Sequence, residues 1–125
     1  MGWLNSSENH AELPWVKITS LEQLWEIMEN TKQKPALFYK HSSRCEVCTM
    51  VLNNFRAEWG KSDGLCTLYF VDLLANRDVS NEIERVTGVQ HQSPQVIVLN
   101  EDKIMYTATH SSISIDAIDL TLNNE

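Results

Sequence analysis

Two thiols separated by two residues, Cys45 and Cys48 in Ser43-Arg44-Cys45-Glu46-Val47-Cys48, are the groups in this chain best suited to covalent chemistry. Such a pair can exchange electrons with disulfides, or it can supply two ligands to zinc or an iron–sulfur cluster. A tetrahedral metal site needs four ligands, and the sequence holds no second close pair. His41 would join such a site only if its loop folded back, and a shared cluster would need a dimer. Redox exchange is therefore the first reading and metal binding the second; a noncatalytic binding module with a vestigial pair is the third. The remaining thiol, Cys66, lies in the apolar run Leu65-Cys66-Thr67-Leu68-Tyr69-Phe70-Val71 and reads as a packed core residue.

The redox reading rests on where the pair sits. A polar loop, His41-Ser42-Ser43-Arg44, leads into it, and a helical segment follows to about Trp59, with Gly60 as the stop signal. At the first turn of a helix the unpaired amides and the helix dipole favour negative charge, so a thiol there ionises more readily. Its pKa can fall from ~8.5 to roughly 3.5–7.5. The spacing puts Cys48 one turn behind Cys45, within disulfide reach and deeper. Cys45 is then the attacking thiolate and Cys48 the resolving thiol. Lys40, His41 and Arg44 form a basic cluster just upstream that would favour the thiolate and draw in an anionic substrate, while Glu46 opposes it. Tyr39, six residues before Cys45, offers no carboxylate to assist the second thiol, so proton-transfer help falls to His41 or water, or the second thiol matters less. Ser93-Pro94 precedes an apolar run: on sequence alone Pro94 could be an ordinary strand-start proline, but in a thioredoxin-like chain a proline here is usually cis and offers backbone to an extended substrate.

Elements that could position these groups follow from periodicity. Ser20 caps a stripe of Leu21, Leu24, Trp25 and Met28 at helical spacing. Ala36-Leu37-Phe38-Tyr39 predicts a short buried strand, and Leu65 to Leu73 a second one covered on both faces. Val79 to Val86 predicts a helix closed by Gly88. Gln95 to Leu99 predicts a third strand, Asn100 to Lys103 a hairpin turn, and Ile104 to Ala108 a fourth strand. Ile113, Ala117, Ile118 and Leu122 mark a last helix. Helical crossovers force parallel pairing and the tight turn an antiparallel one. The order α-β-α-β-α-β-β-α is the layout of the thioredoxin fold, an α/β architecture with a four-stranded mixed sheet flanked by helices on both faces. Trp25 and Trp59 are expected to face the core. His91 and His110 are expected to serve as structural hydrogen-bonding residues or, failing that, as substrate contacts.

Size and charge exclude other classes. The chain has 125 residues, 42% hydrophobic and 22% charged, with a formal net charge of −7. That suits one domain over residues 13–125 behind a polar arm at 1–12, and neither a disordered chain nor a nucleic-acid binder. No apolar run approaches the roughly 20 residues of a membrane span. The start lacks a basic segment followed by an apolar run, so a cytoplasmic protein is expected. Met1-Gly2 with Ser6 fits a minimal myristoylation pattern, read as coincidence.

The segment Phe38-Tyr39-Lys40-His41-Ser42-Ser43-Arg44-Cys45, with Met50 and Leu52 beyond it, resembles the signature of the bacillithiol-system redox-active proteins, the monothiol bacilliredoxins. Trp15 with Leu21-Glu22-Gln23-Leu24, His91-Gln92-Ser93-Pro94-Gln95, and Thr109-His110-Ser111 with Ile113 are similar to its other conserved stretches. The likeness spans about residues 15 to 120. It implies a thioredoxin fold and removal of bacillithiol, acting as co-substrate with no resident cofactor or metal, from mixed disulfides on cytosolic proteins. Cys45 falls on the family's attacking cysteine. Where members commonly carry serine, this chain has Cys48, which would let it resolve its own mixed disulfide. Under this reading the carboxylates of bacillithiol's malate group would meet Lys40, His41, Arg44 and amides near Ser111 and Ser112. Ser93, Pro94 and His110 complete the expected substrate contacts. General reduction of protein disulfides is the alternative within the same chemistry.

Overall fold

The computed structural model describes residues 13–60, 64–101 and 103–123. The expected N-terminal arm and one residue of the expected hairpin turn, Asp102, lie outside them.

The elements run β1 (Val16–Lys17), α1 (Leu21–Asn30), β2 (Ala36–His41), α2 (Glu46–Glu58), β3 (Thr67–Asp72), α3 (Arg77–Thr87), β4 (Gln95–Asn100), β5 (Lys103–Thr109) and α4 (Ile115–Asn123), with a single 3₁₀ turn, His110–Ser112, before α4. One sheet of strand order β1-β3-β2-β4-β5 results. β2 lies parallel to β3, which lies parallel to β1, while β4 runs antiparallel to β2 and to β5. The sheet therefore has five strands, not four. β1 escapes sequence reading because it is two residues long and both are exposed, so it carries no alternation to detect.

Local chemistry accounts for the element ends. The Ser20 hydroxyl accepts from the Gln23 amide to cap α1, and the Gln23 side chain accepts in turn from the Thr19 amide. Gly88 ends α3 at φ 75°, a left-handed cap that glycine adopts without a Cβ clash. The 3₁₀ turn takes the chain from β5 to α4, so the last helix begins two residues later than Ile113.

Alternation along β2 divides the core. Ala36 and Phe38 face α1 and α3, where Ile18, Leu24, Ile27, Val71, Val79 and Ile83 pack around them. Leu37 and Tyr39 face α2 and α4, among Leu52, Phe55, Leu68, Val96, Ile118 and Leu122. β2 is buried along nearly its whole length, as a central strand between two helical layers should be. β3 is less enclosed than its composition suggests: only Leu68 and Val71 are buried in it, because the short β1 covers little of its far edge. Cys66 is buried at its start. Trp59 packs against the α2 and α4 layer, but Trp25 is half-exposed and its indole N–H donates to Glu82 across to α3. The indole thus joins two helices at the surface rather than filling the core.

Candidate active site

Cys45 occupies the N-cap of α2. Its backbone is extended, at φ −105° and ψ 118°, and its sulfur accepts the amide of Cys48 at 3.2 Å. Serine, threonine, aspartate or asparagine usually fills this position, because an oxygen acceptor satisfies amides that have no helical partner. Here a sulfur does so, and a thiolate accepts more strongly than a thiol. The Cys45 pKa is pushed down accordingly. The Cys48 thiol donating to it contributes most, then the Cys48 amide and the Val47 amide, against slight burial and the nearby Glu46 carboxylate. The lowering thus comes first from the neighbouring Cys48 thiol and then from the first amides of α2.

Cys48 sits one turn deeper and is fully buried. Burial raises its pKa, as does its hydrogen bond to Cys45, while the Ser93 hydroxyl 3.0 Å away opposes the rise. The two sulfurs therefore differ in both burial and acidity: Cys45 is partly exposed with its pKa lowered, and Cys48 is covered with its pKa raised. Both thiols are free. Ser93, Cys48 and Cys45 form a short chain: the Ser93 hydroxyl and the Cys48 thiol share a hydrogen bond at 3.0 Å in which either can donate, and the Cys48 thiol in turn meets the Cys45 sulfur.

The other expected contacts fall on different sides of this pair. The Ser93–Pro94 bond is cis, and the Pro94 carbonyl accepts from the His110 amide at 3.0 Å. His110 and Ser111 are exposed on the α2 side, beside Met50, Asn54 and Phe55 around a small cavity of about 130 Å³. Arg44 is exposed on the loop, where its amide donates to the Ser42 hydroxyl. His41 stacks at a tilt on Phe70, 5.6 Å between centroids, and burial lowers its pKa. Lys40 points the other way. It is fully buried, and its ammonium donates to the Ser80 carbonyl at 3.2 Å and meets His91 Nδ1 at 3.5 Å. Burial lowers its pKa to about 8.

Residues that sequence reading did not single out complete this second side. Arg77, Ser80 and Asn81 of α3 join Ser42, His91 and Ser93 around a cleft of about 210 Å³. Among the described residues no three His, Cys, Asp or Glu side chains gather where a metal ion could be held. No described helix is long and apolar enough to cross a membrane.

Comparison with known proteins agrees with this geometry. The sequence model of the monothiol bacilliredoxin BrxC family matches residues 16–118. Among solved structures, one protein of thioredoxin fold is 23% identical with a TM-score of 0.68, over 86% of this chain and 93% of that one. Thioredoxin from Trypanosoma brucei brucei is 18% identical with a TM-score of 0.64, over 91% and 93%. Thioredoxin f from spinach chloroplast is 15% identical with a TM-score of 0.61, over 89% and 92%. At these identities the structural likeness establishes the thioredoxin fold.

Proposed function

Because the chain belongs to the monothiol bacilliredoxin family, we propose that it is a thiol–disulfide oxidoreductase that removes bacillithiol from mixed disulfides on cytosolic proteins. The observation that carries this reading is the Cys45 sulfur serving as the acceptor at the start of α2, with the buried Cys48 thiol directly beneath it.

The Cys45 thiolate attacks the bacillithiol sulfur of a protein–bacillithiol disulfide. A Cys45–bacillithiol disulfide forms, and the client protein's sulfur leaves as a thiolate that takes up a proton. Cys48 then gives up its proton and attacks Cys45. Its sulfur bonds to that of Cys45, and bacillithiol leaves as its thiolate. The Ser93 hydroxyl, 3.0 Å from Cys48, steadies the charge that develops there. A further thiol reductant returns the Cys45–Cys48 disulfide to two thiols. The exposed Val47 and Met50 on the first turns of α2 offer an apolar rim against which a client protein can rest. The family's description as monothiol makes Cys48 the point of difference. With it the same site can also serve as a reductase of ordinary protein disulfides.

Mass spectrometry after exposure to a bacillithiolated protein tests both steps. Cys48→Ser should retain one bacillithiol on Cys45, the wild type should pass to an intramolecular disulfide, and Cys45→Ser should take no adduct and show no turnover. A Cys45→Ser variant as active as the wild type would end the proposal. Persistent adduct on the wild type would instead restore a purely monothiol cycle.

A further inference from the structure

The cleft on the α3 side touches the dithiol through its own walls. Ser42, at one end, accepts the Cys45 amide on its carbonyl at 3.2 Å, and Ser93, at the other, holds the Cys48 sulfur. Between them the wall is built by Arg77, Ser80, Asn81 and His91 together with Leu73 and Leu74, and no carboxylate lines it. Behind that wall lies the Lys40 ammonium, fully buried, in contact with His91 and with the carbonyl of Ser80. His91 Nδ1 also meets the Ser80 hydroxyl at 3.2 Å, which fixes the ring at the rim.

Charge gives the cleft its character. The chain as a whole is acidic, at −7. Here an exposed guanidinium and a buried ammonium both act on one imidazole: Lys40 and Arg77 each lower the His91 pKa, after burial, and Glu84 opposes them. Asp72 is turned away into its own loop, where it accepts the amides of Leu74 and Ala75. Glu84 stands one turn farther along α3 and partly balances Lys40. A small recess with cations at its mouth and floor and no carboxylate in its lining, in a chain of net charge −7, concentrates anions.

We infer that this cleft is a carboxylate-binding subsite, in which Arg77 and the Ser80–His91 pair hold the anionic part of the low-molecular-weight thiol while its sulfur is bonded to Cys45. The inference rests on the redox reading above and adds to it which side of Cys45 the small thiol occupies. The client protein is then left the apolar rim around Val47 and Met50. Lys40 is a positioning residue in this scheme: it touches His91 and not the ligand.

A series of small symmetrical disulfides separates charge recognition from sulfur chemistry. Dithiodiglycolate is anionic, bis(2-hydroxyethyl) disulfide neutral and cystamine cationic. The second-order rate of Cys45 with each, in the full chain, should rank anionic above neutral above cationic. The Arg77→Glu substitution should reduce the anionic-to-neutral rate ratio about tenfold, and salt should narrow the wild-type ratio. Using a ratio cancels any change in Cys45 ionisation. In parallel, adding malate to the wild type should shift the His91 ring resonances in an NMR titration, and in Arg77→Glu it should not. An unchanged ratio, with His91 unmoved by malate, would overturn the subsite even if debacillithiolation were confirmed. A ratio that collapses in a protein inactive on bacillithiolated clients would retain the subsite and overturn the bacillithiol assignment.

Discussion

On one face of β2, Lys40 reaches into an aliphatic layer and finds acceptors, the Ser80 carbonyl and the His91 ring. On the opposite face, one residue to either side, Tyr39 and His41 enter an aromatic layer. There the Tyr39 hydroxyl and His41 Nδ1 have no hydrogen-bond partner among the described residues, and the same holds for the indole nitrogens of Trp15 and Trp59. An unsatisfied buried polar atom costs about 1–3 kcal/mol, so the second face needs a large compensating term. The rings supply it. Phe55 stacks on Trp15 at 5.7 Å and on Trp59 at 5.3 Å and meets the edge of Tyr39 at 5.1 Å, while Tyr39 also stacks on Phe70. The lesson is that one strand end can be stabilised in two ways beside the same pair of thiols, by satisfying a charge or by outweighing unsatisfied dipoles with surface burial.

The contrast can be broken most forcefully at Phe55. Phe55→Ala removes the ring shared by three neighbours and should cost about 3–5 kcal/mol in denaturant unfolding. A loss below about 1 kcal/mol would show that the aromatic face is not what offsets its unpaired atoms.

Lys40→Met sharpens the other half. The folded-state pKa of Lys40, about 8, lies below the ordinary lysine value of 10.5. Between these values the unfolded chain binds more protons than the folded one, so stability rises with pH across that window. The penalty for burying the charge is fully present below about 8 and has gone above 10.5. Methionine has no proton to bind, and the rise should flatten when unfolding is measured at several pH values across this range. A slope equal to that of the wild type would mean that Lys40 keeps its ordinary pKa despite its burial.

The smallest effect is expected at Tyr39. Tyr39→Phe keeps the stacking and deletes a hydroxyl without a partner, so stability should hold or improve by up to about 1 kcal/mol. A clear loss in thermal or denaturant unfolding would reveal a bond that the aromatic face does hold, and the two faces would then be alike.

Much of this arrangement was legible in the residues. A polar loop running into a helical stripe put Cys45 at a helix start, and the order of apolar runs led to the thioredoxin fold. Lys40 was harder. The apolar run stops at Tyr39, but the strand continues through His41, and strand alternation then carries Lys40 inside, away from the loop its charge suggested. Arg77 gave no signal either, since in sequence it lies two residues before the helical stretch Val79 to Val86, and only the structure makes it the first residue of α3. It nears the cysteines because parallel strands leave their carboxyl ends, and the loops after them, on one side of the sheet. Trp25 followed the periodicity of its helix yet stayed half-exposed, because its indole N–H found Glu82 across the surface.

The sulfur at the start of α2 couples folding to oxidation state. While Cys45 is an anion, it secures the first turn of the helix; once it is bonded to another sulfur, that negative charge is gone and the first turn is held less firmly. Reduction is thereby favoured by the backbone itself, which makes the Cys45–Cys48 disulfide a comparatively eager electron acceptor. A substitution that strengthens the anion's grip on these amides would push the protein further toward oxidant behaviour, with no change at either cysteine.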